Sequence, residues 1–150
     1  MKKIITVLLT VLFLTNCGYT PIYSNKNFDF NIKDITTSTN NLLNSRTKKK
    51  LLNFSNQESS KVISLNLDVQ KKTNILAKDS RGDPTRYEMV ISMQIEITYN
   101  QGQKISNFFE ETFNYIVNKN KFELSQYEKE IENSLIEENI NRITIYLSKL

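Results

Sequence analysis

From Lys61 onward the chain alternates. Ile63, Leu65, Leu67 and Val69 are apolar, while Ser64, Asn66, Asp68 and Gln70 between them are polar. A period of two places one set on each side of a pleat, which predicts a half-buried strand. "KDSRGDPT" (78–85) is dense in turn formers and closes it. Tyr87, Met89, Ile91, Met93, Ile95, Ile97 and Tyr99 then occupy seven successive odd positions, the strongest periodic signal in the chain. "NQGQ" (100–103) reads as a hairpin turn, and a return strand from Lys104 to about Asn118 carries Ile105, Phe109, Phe113, Tyr115 and Val117 on one face. Upstream, Phe28, Phe30 and Ile32 alternate with Asp29, Asn31 and Lys33, a short strand that a turn at 36–39 ends. Residues 40–53, with Leu42, Leu43, Leu51 and Leu52, read as a helix.

At the other end, Ser125-Gln126-Tyr127-Glu128 has the S-x-x-E form of a capping box and predicts a helix start. Ile136, Ile140, Ile143, Leu147 and Leu150 follow at alternating spacings of four and three, a single apolar stripe. Glu128, Glu130 and Glu132 near the start and Lys149 near the end suit the helix dipole, and Glu138 and Arg142 stand at i,i+4. The order is β-α-β-β-β-α. Strands with one apolar face and two helices to cover them predict an α+β two-layer sandwich, with a mostly antiparallel four-stranded sheet, as a single domain over residues 28–150.

The first 27 residues follow other rules. Met1-Lys2-Lys3 is a positive n-region, and Ile4–Leu14 is an apolar run of eleven residues. That is short of the about 20 needed to span a bilayer and fits a signal peptide, residues 1–16. The run ends Leu14-Thr15-Asn16-Cys17, which resembles the lipobox of bacterial lipoproteins, with Asn16 where that pattern has a small residue. Cys17 is the one cysteine of the chain, so it has no disulfide partner within it. A thioether to diacylglycerol, with an N-acyl chain, accounts for such a thiol. Two or more acyl chains hold a protein stably on a membrane, at about 0.8 kcal/mol per buried methylene. Residues 17–27 then form the lipidated N-terminus and tether. Tyr19, Pro21, Ile22 and Tyr23 are apolar for a linker and either pack on their own domain or meet a partner or the bilayer interface.

Charge adds one feature. The formal net charge of +4 falls to +2 once Lys2 and Lys3 leave with the leader. Residues 46–86 hold ten Lys/Arg against four Asp/Glu, whereas residues 87–150 hold six against ten. Lys71-Lys72 and Arg81…Arg86 flank one predicted turn, so the four are expected to converge at one end of the sheet. Such a cluster suits phosphate and carboxylate groups. Nucleic acid is not expected in the compartment a lipoprotein reaches. The chain has no histidine and, once Cys17 is acylated, no free thiol, which excludes His- or Cys-based catalysis and zinc sites. Gly18, Gly82 and Gly102 are isolated, so no phosphate loop exists. Adjacent carboxylates such as Glu110-Glu111 diverge on a strand. The expectation is a protein that is not an enzyme, with no metal and no cofactor beyond its lipid.

Cys17-Gly18-Tyr19-Thr20-Pro21-Ile22-Tyr23 resembles the C-G-[FY]-x-P-[LI]-Y start of the LPS-assembly lipoprotein family, LptE, formerly RlpB. The β-α-β-β-β-α order and the Arg86-Tyr87 pair opening the long middle strand are similar too. The resemblance implies an outer-membrane lipoprotein on the periplasmic face. Its partner would be an LptD-type β-barrel, which it plugs and assists in delivering lipopolysaccharide to the outer leaflet. It implies lipopolysaccharide binding through basic residues, carried over as a class onto Lys71, Lys72, Arg81 and Arg86. The alternative is a free-standing outer-membrane lipoprotein that binds an acidic lipid or polymer.

Overall fold

The computed structural model describes residues 28–99 and 102–150. Strands β1 (Asn31–Thr37), β2 (Val62–Lys78), β3 (Pro84–Tyr99) and β4 (Gln103–Ile116) form one sheet in the order β1-β2-β3-β4. Helix α1 (Leu42–Leu52) connects β1 to β2, and α2 (Lys121–Lys149) follows β4. β1 runs parallel to β2, while the β2–β3 and β3–β4 pairs are antiparallel. This is the α+β architecture the periodicity predicts.

The alternation of β3 dictates the layering. Met89, Ile91, Met93, Ile95 and Ile97 are all buried, and cross-strand partners share a face, so Ile63, Leu65, Leu67 and Val69 of β2 join them. From β4 come Phe109 and Tyr115, and both helices close this side with Leu51, Ile131, Leu135, Ile136, Ile140, Ile143 and Leu147. The stripe of α2 is as expected except at Leu150, the C-cap, which is exposed.

The local differences have physical causes. α2 starts a turn before the predicted Ser125 box, because Asn120 accepts hydrogen bonds from the backbone N–H groups of Phe122 and Glu123 while its own amide reaches Glu123. Asn120 with Glu123 is therefore the working cap, and Ser125 lies inside the helix. Arg142 does not pair with Glu138. It crosses to β4, where it meets the Glu111 carboxylate and the Glu110 carbonyl and stands over the Phe109 ring. β1 continues to Thr37 past a register shift between Ile32 and Asp34, so Ile35 joins the core and the predicted turn begins later.

In α1 the leucines mislead. Leu42 is 74% exposed, and the buried positions are Asn44, Thr47 and Leu51. Asn44 is the reason. β1 separates from β2 after Leu67, which leaves the Val69 N–H without a strand partner, and Asn44 Oδ1 accepts it at 2.8 Å. Its amide donates to the Thr39 carbonyl and hydroxyl at 3.0 and 2.7 Å. One buried side chain thus ties helix, loop and strand, and a buried group stripped of such bonds costs about 1–3 kcal/mol. Asn44→Ala should lower the unfolding free energy in urea by about 2 kcal/mol, against less than about 0.5 kcal/mol for the exposed Lys49→Ala. Equal effects of the two would show that the amide does not hold this junction.

Candidate functional site

Both helices pack on one side, so among the described residues the opposite face of the sheet is uncovered. It presents Asn66, Asp68 and Gln70 from β2, Gln94 and Glu96 from β3, and Lys104, Ser106 and Phe108 from β4. Its polar groups satisfy one another: Gln70 donates to Asp68 at 2.9 Å, Asn74 to Glu88 at 2.8 Å, and Lys104 pairs with Glu96 at 2.8 Å. A shallow cavity of about 170 Å³ lies among Ser38, Asn66, Asp68, Gln94, Glu96 and Ser106.

The β2–β3 hairpin outruns the helices. Beyond Val69, β2 is exposed at nearly every position. Its tip is held by Asp79, whose Oδ1 accepts the backbone N–H groups of Arg81 and Asp83, both at 2.9 Å. Gly82 takes a φ of 90°, the left-handed conformation that this turn needs and that glycine adopts without strain. The Asp83 amide first, and then the Arg81 amide, hold the Asp79 carboxyl below its ordinary value.

The four cations expected to meet here do not. Lys71 and Lys72 are adjacent on a strand and therefore point to opposite faces. Lys71 lies on the helix side, paired with Glu132 at 2.8 Å, in a bridge that Arg46 shares at 3.1 Å. Both lysines are roughly 20 Å from the end of β2, at about 3.3 Å per residue. Arg81 turns back onto Asp79 and Asp83 within the tip, at 3.3 and 3.7 Å. Arg86 is the one of the four that stands at the hairpin end without an ion pair among the described residues. Lys78 is close to it, since Arg86 is the register partner of Ala77. Lys72 is on the uncovered face, further along β2.

Arg86 has company that the sequence did not reveal. A cavity of about 410 Å³ is lined by Arg86, Asn114, Tyr115, Ile116 and Tyr127. Ile116 is 71% exposed, and the Tyr115 ring packs between Tyr87 and Tyr127, with centroids 5.8 and 6.2 Å away. A guanidinium beside exposed apolar and aromatic carbons has the chemistry to hold an anionic amphiphile. Tyr127 appeared in the sequence only inside the capping motif, and nothing in its spacing tied it to Arg86. Cys17 and the tether residues Tyr19, Pro21 and Tyr23 lie outside the described residues. Among the described residues no group of His, Cys, Asp or Glu is arranged to hold a metal, and no helix is long and apolar enough to cross a membrane.

These layers define an α+β domain with one sheet face bare and a long hairpin projecting beyond the helices. The same fold occurs in solved lipoproteins. Rare lipoprotein B from Shewanella oneidensis superposes with a TM-score of 0.57 at 15% identity, over 77% of this chain and 94% of that one. A minor lipoprotein from Acinetobacter baumannii gives 0.59 at 14% identity, over 81% and 92%. Lipoprotein B from Nitrosomonas europaea gives 0.56 at 12%, over 78% and 80%. At such identities the likeness is one of fold. No family model matches the chain, and no curated protein matches its sequence.

Tyr115 gives the site a pH dependence. Burial first, and then its 2.7 Å hydrogen bond to the Glu128 carboxylate, push its phenol above the ordinary value. A raised folded value means the unfolded chain ionises first, so the stabilisation is complete below about pH 10 and is lost as pH rises from there through the folded value. The stability difference between wild type and Tyr115→Phe should therefore be constant up to about pH 10 and shrink above it. A difference that stays flat to the alkaline unfolding limit would contradict the buried bond.

Proposed function

We propose that the chain is a non-enzymatic outer-membrane lipoprotein, anchored through acyl chains on Cys17. In this reading it plugs an LptD-type β-barrel and assists the passage of lipopolysaccharide to the outer leaflet. The observation that carries the ligand half is Arg86 in its cavity with Tyr115, Ile116 and Tyr127. Lipid A joins phosphates to acyl chains, and this place offers a bidentate donor beside apolar carbons. Lys78 and Lys72 add positive charge on the approach. Lys71 and Arg81 contribute less, because carboxylates already hold them.

Three features support the partner half. The likeness to solved lipoproteins spans most of the chain. An acyl anchor on Cys17, in the Cys17-Gly18-Tyr19-x-Pro21-x-Tyr23 start, would raise the effective concentration beside a barrel in the same membrane. The uncovered sheet face is largely polar, with Gln70–Asp68, Asn74–Glu88 and Lys104–Glu96 paired across it, which suits a hydrated lumen.

The test is lipopolysaccharide binding by purified variants. Arg86→Glu combined with Lys72→Glu and Lys78→Glu should weaken binding at least about tenfold, a loss of roughly 1.4 kcal/mol, with the thermal midpoint unchanged. Lys71→Ala with Arg81→Ala should stay within about twofold of wild type. Equal losses in the two sets would remove Arg86 from the site.

A further inference from the structure

Among the described residues the outer edge of β4 is uncovered, and its surroundings differ along its length. Arg142 donates to the Glu110 carbonyl at 3.1 Å, which shows that Glu110 turns its backbone groups outward and that Phe108, Thr112 and Asn114 do the same. The near half of that edge is blunted. Asn107 Oδ1 takes the Phe108 N–H at 2.8 Å, and Arg142 takes the Glu110 carbonyl. The far half is not: the outward N–H and C=O groups of Thr112 and Asn114 meet no partner among the described residues. No proline, bulge or lysine guards it, and β4 pairs with β3 without a register shift. Long regular edges of this kind add strands.

Beside the bare segment lies a groove. Phe113, on the helix side of β4 and 43% exposed, faces Tyr127, Ile131 and Leu135 of α2 across a cavity of about 210 Å³, with Glu130 at the rim. An apolar cavity of about 150 Å³ already holds a benzene ring, so one aliphatic or aromatic side chain fits. A strand laid along Thr112 and Asn114 would point the residue beside Phe113 into that cavity. Charge selects the occupant. Glu110 stands on the uncovered face of the edge strand, the side to which residues alternating with the seated one point, and makes no ion pair among the described residues.

We propose that the β4 edge from Glu111 to Ile116, with its groove against α2, is a docking site for an extended strand of a partner protein. That strand pairs its backbone with Thr112 and Asn114, seats an apolar side chain between Phe113 and Ile131, and carries lysine or arginine at alternate positions. The site does not rest on the lipopolysaccharide reading. Its groove is lined by Phe113, Ile131 and Leu135, none of which lines the Arg86 cavity, although Asn114 to Ile116 and Tyr127 border both.

The test uses the full chain in mild detergent and a fluorescein-labelled nonapeptide alternating lysine with valine, read by fluorescence anisotropy. Saturable binding is expected, and a peptide with glutamate for lysine should bind at least about tenfold more weakly. Methylating alternate peptide nitrogens should abolish binding without any change to the protein. Thr112→Pro should do so too, since this N–H faces outward and proline costs the sheet no ladder bond. No saturable binding, equal binding of the glutamate peptide, or full binding of the N-methylated peptide would each overturn the proposal. A concentration-dependent dimer that Thr112→Pro dissolves would overturn it as well and assign the edge to a second copy.

Discussion

Every other feature is arranged around the two-residue period of β3. This strand lies between β2 and β4, and its odd side chains from Met89 to Ile97 are all buried. A slip of one residue would expose the entire set, so the register of both neighbours is fixed by the same burial. The helices then have one place to go. The apolar stripe of α2 and the shorter face of α1 cover the odd side, and among the described residues the even side is left without a layer. A domain of this build has its core on one side of the sheet and, among the described residues, a bare face on the other.

Much of the positive charge in the middle of the chain is engaged within this core-side layer. Arg46 and Lys71 share the mostly buried Glu132, and Lys50 meets Glu137 at 2.8 Å, so cations of α1 and β2 are stitched to α2. Exposed pairs contribute up to about 1 kcal/mol, but several converging on one helix help set its lie across the sheet. Apart from Lys49 on α1, the cations left over in this stretch are at the hairpin end and along the uncovered face. Arg86 gains its character there from position, since β3 leaves the shelter of the helices just where Tyr127 and Ile116 flank it.

The strands were readable because a pleat converts burial directly into alternation. β3 ends at Tyr99 as the alternation predicts but begins at Pro84, three residues before Tyr87 and inside the stretch read as a turn. That turn was visible in its Gly and Asp content, while residues 100 and 101 of the second predicted turn lie outside the described residues. What failed depends on distant contacts. α1 buries Asn44 and Thr47 and exposes Leu42, because a strand end needed a hydrogen-bond partner and hydropathy carries no trace of that need. Asn120 and Ser125 compete to cap the same helix, and the earlier one wins by its bonds to Phe122 and Glu123. Arg142 chose Glu111 on a neighbouring strand over Glu138 on its own helix. The basic cluster failed for a reason the sequence did contain: neighbouring residues on a strand diverge, which separates Lys71 from Lys72 just as it separates Glu110 from Glu111. The Arg86 cavity draws on β3, β4 and α2, and no single segment could announce it.

The proposed plug is a domain that works inside a partner rather than alone. The direct measurement is gentle detergent extraction of the tagged chain from its native membrane, followed by mass spectrometry of what co-purifies. A large β-barrel in one-to-one proportion is the predicted result. A chain that comes out alone in every mild detergent would contradict the plug and leave a free-standing lipoprotein that binds an acidic lipid or polymer.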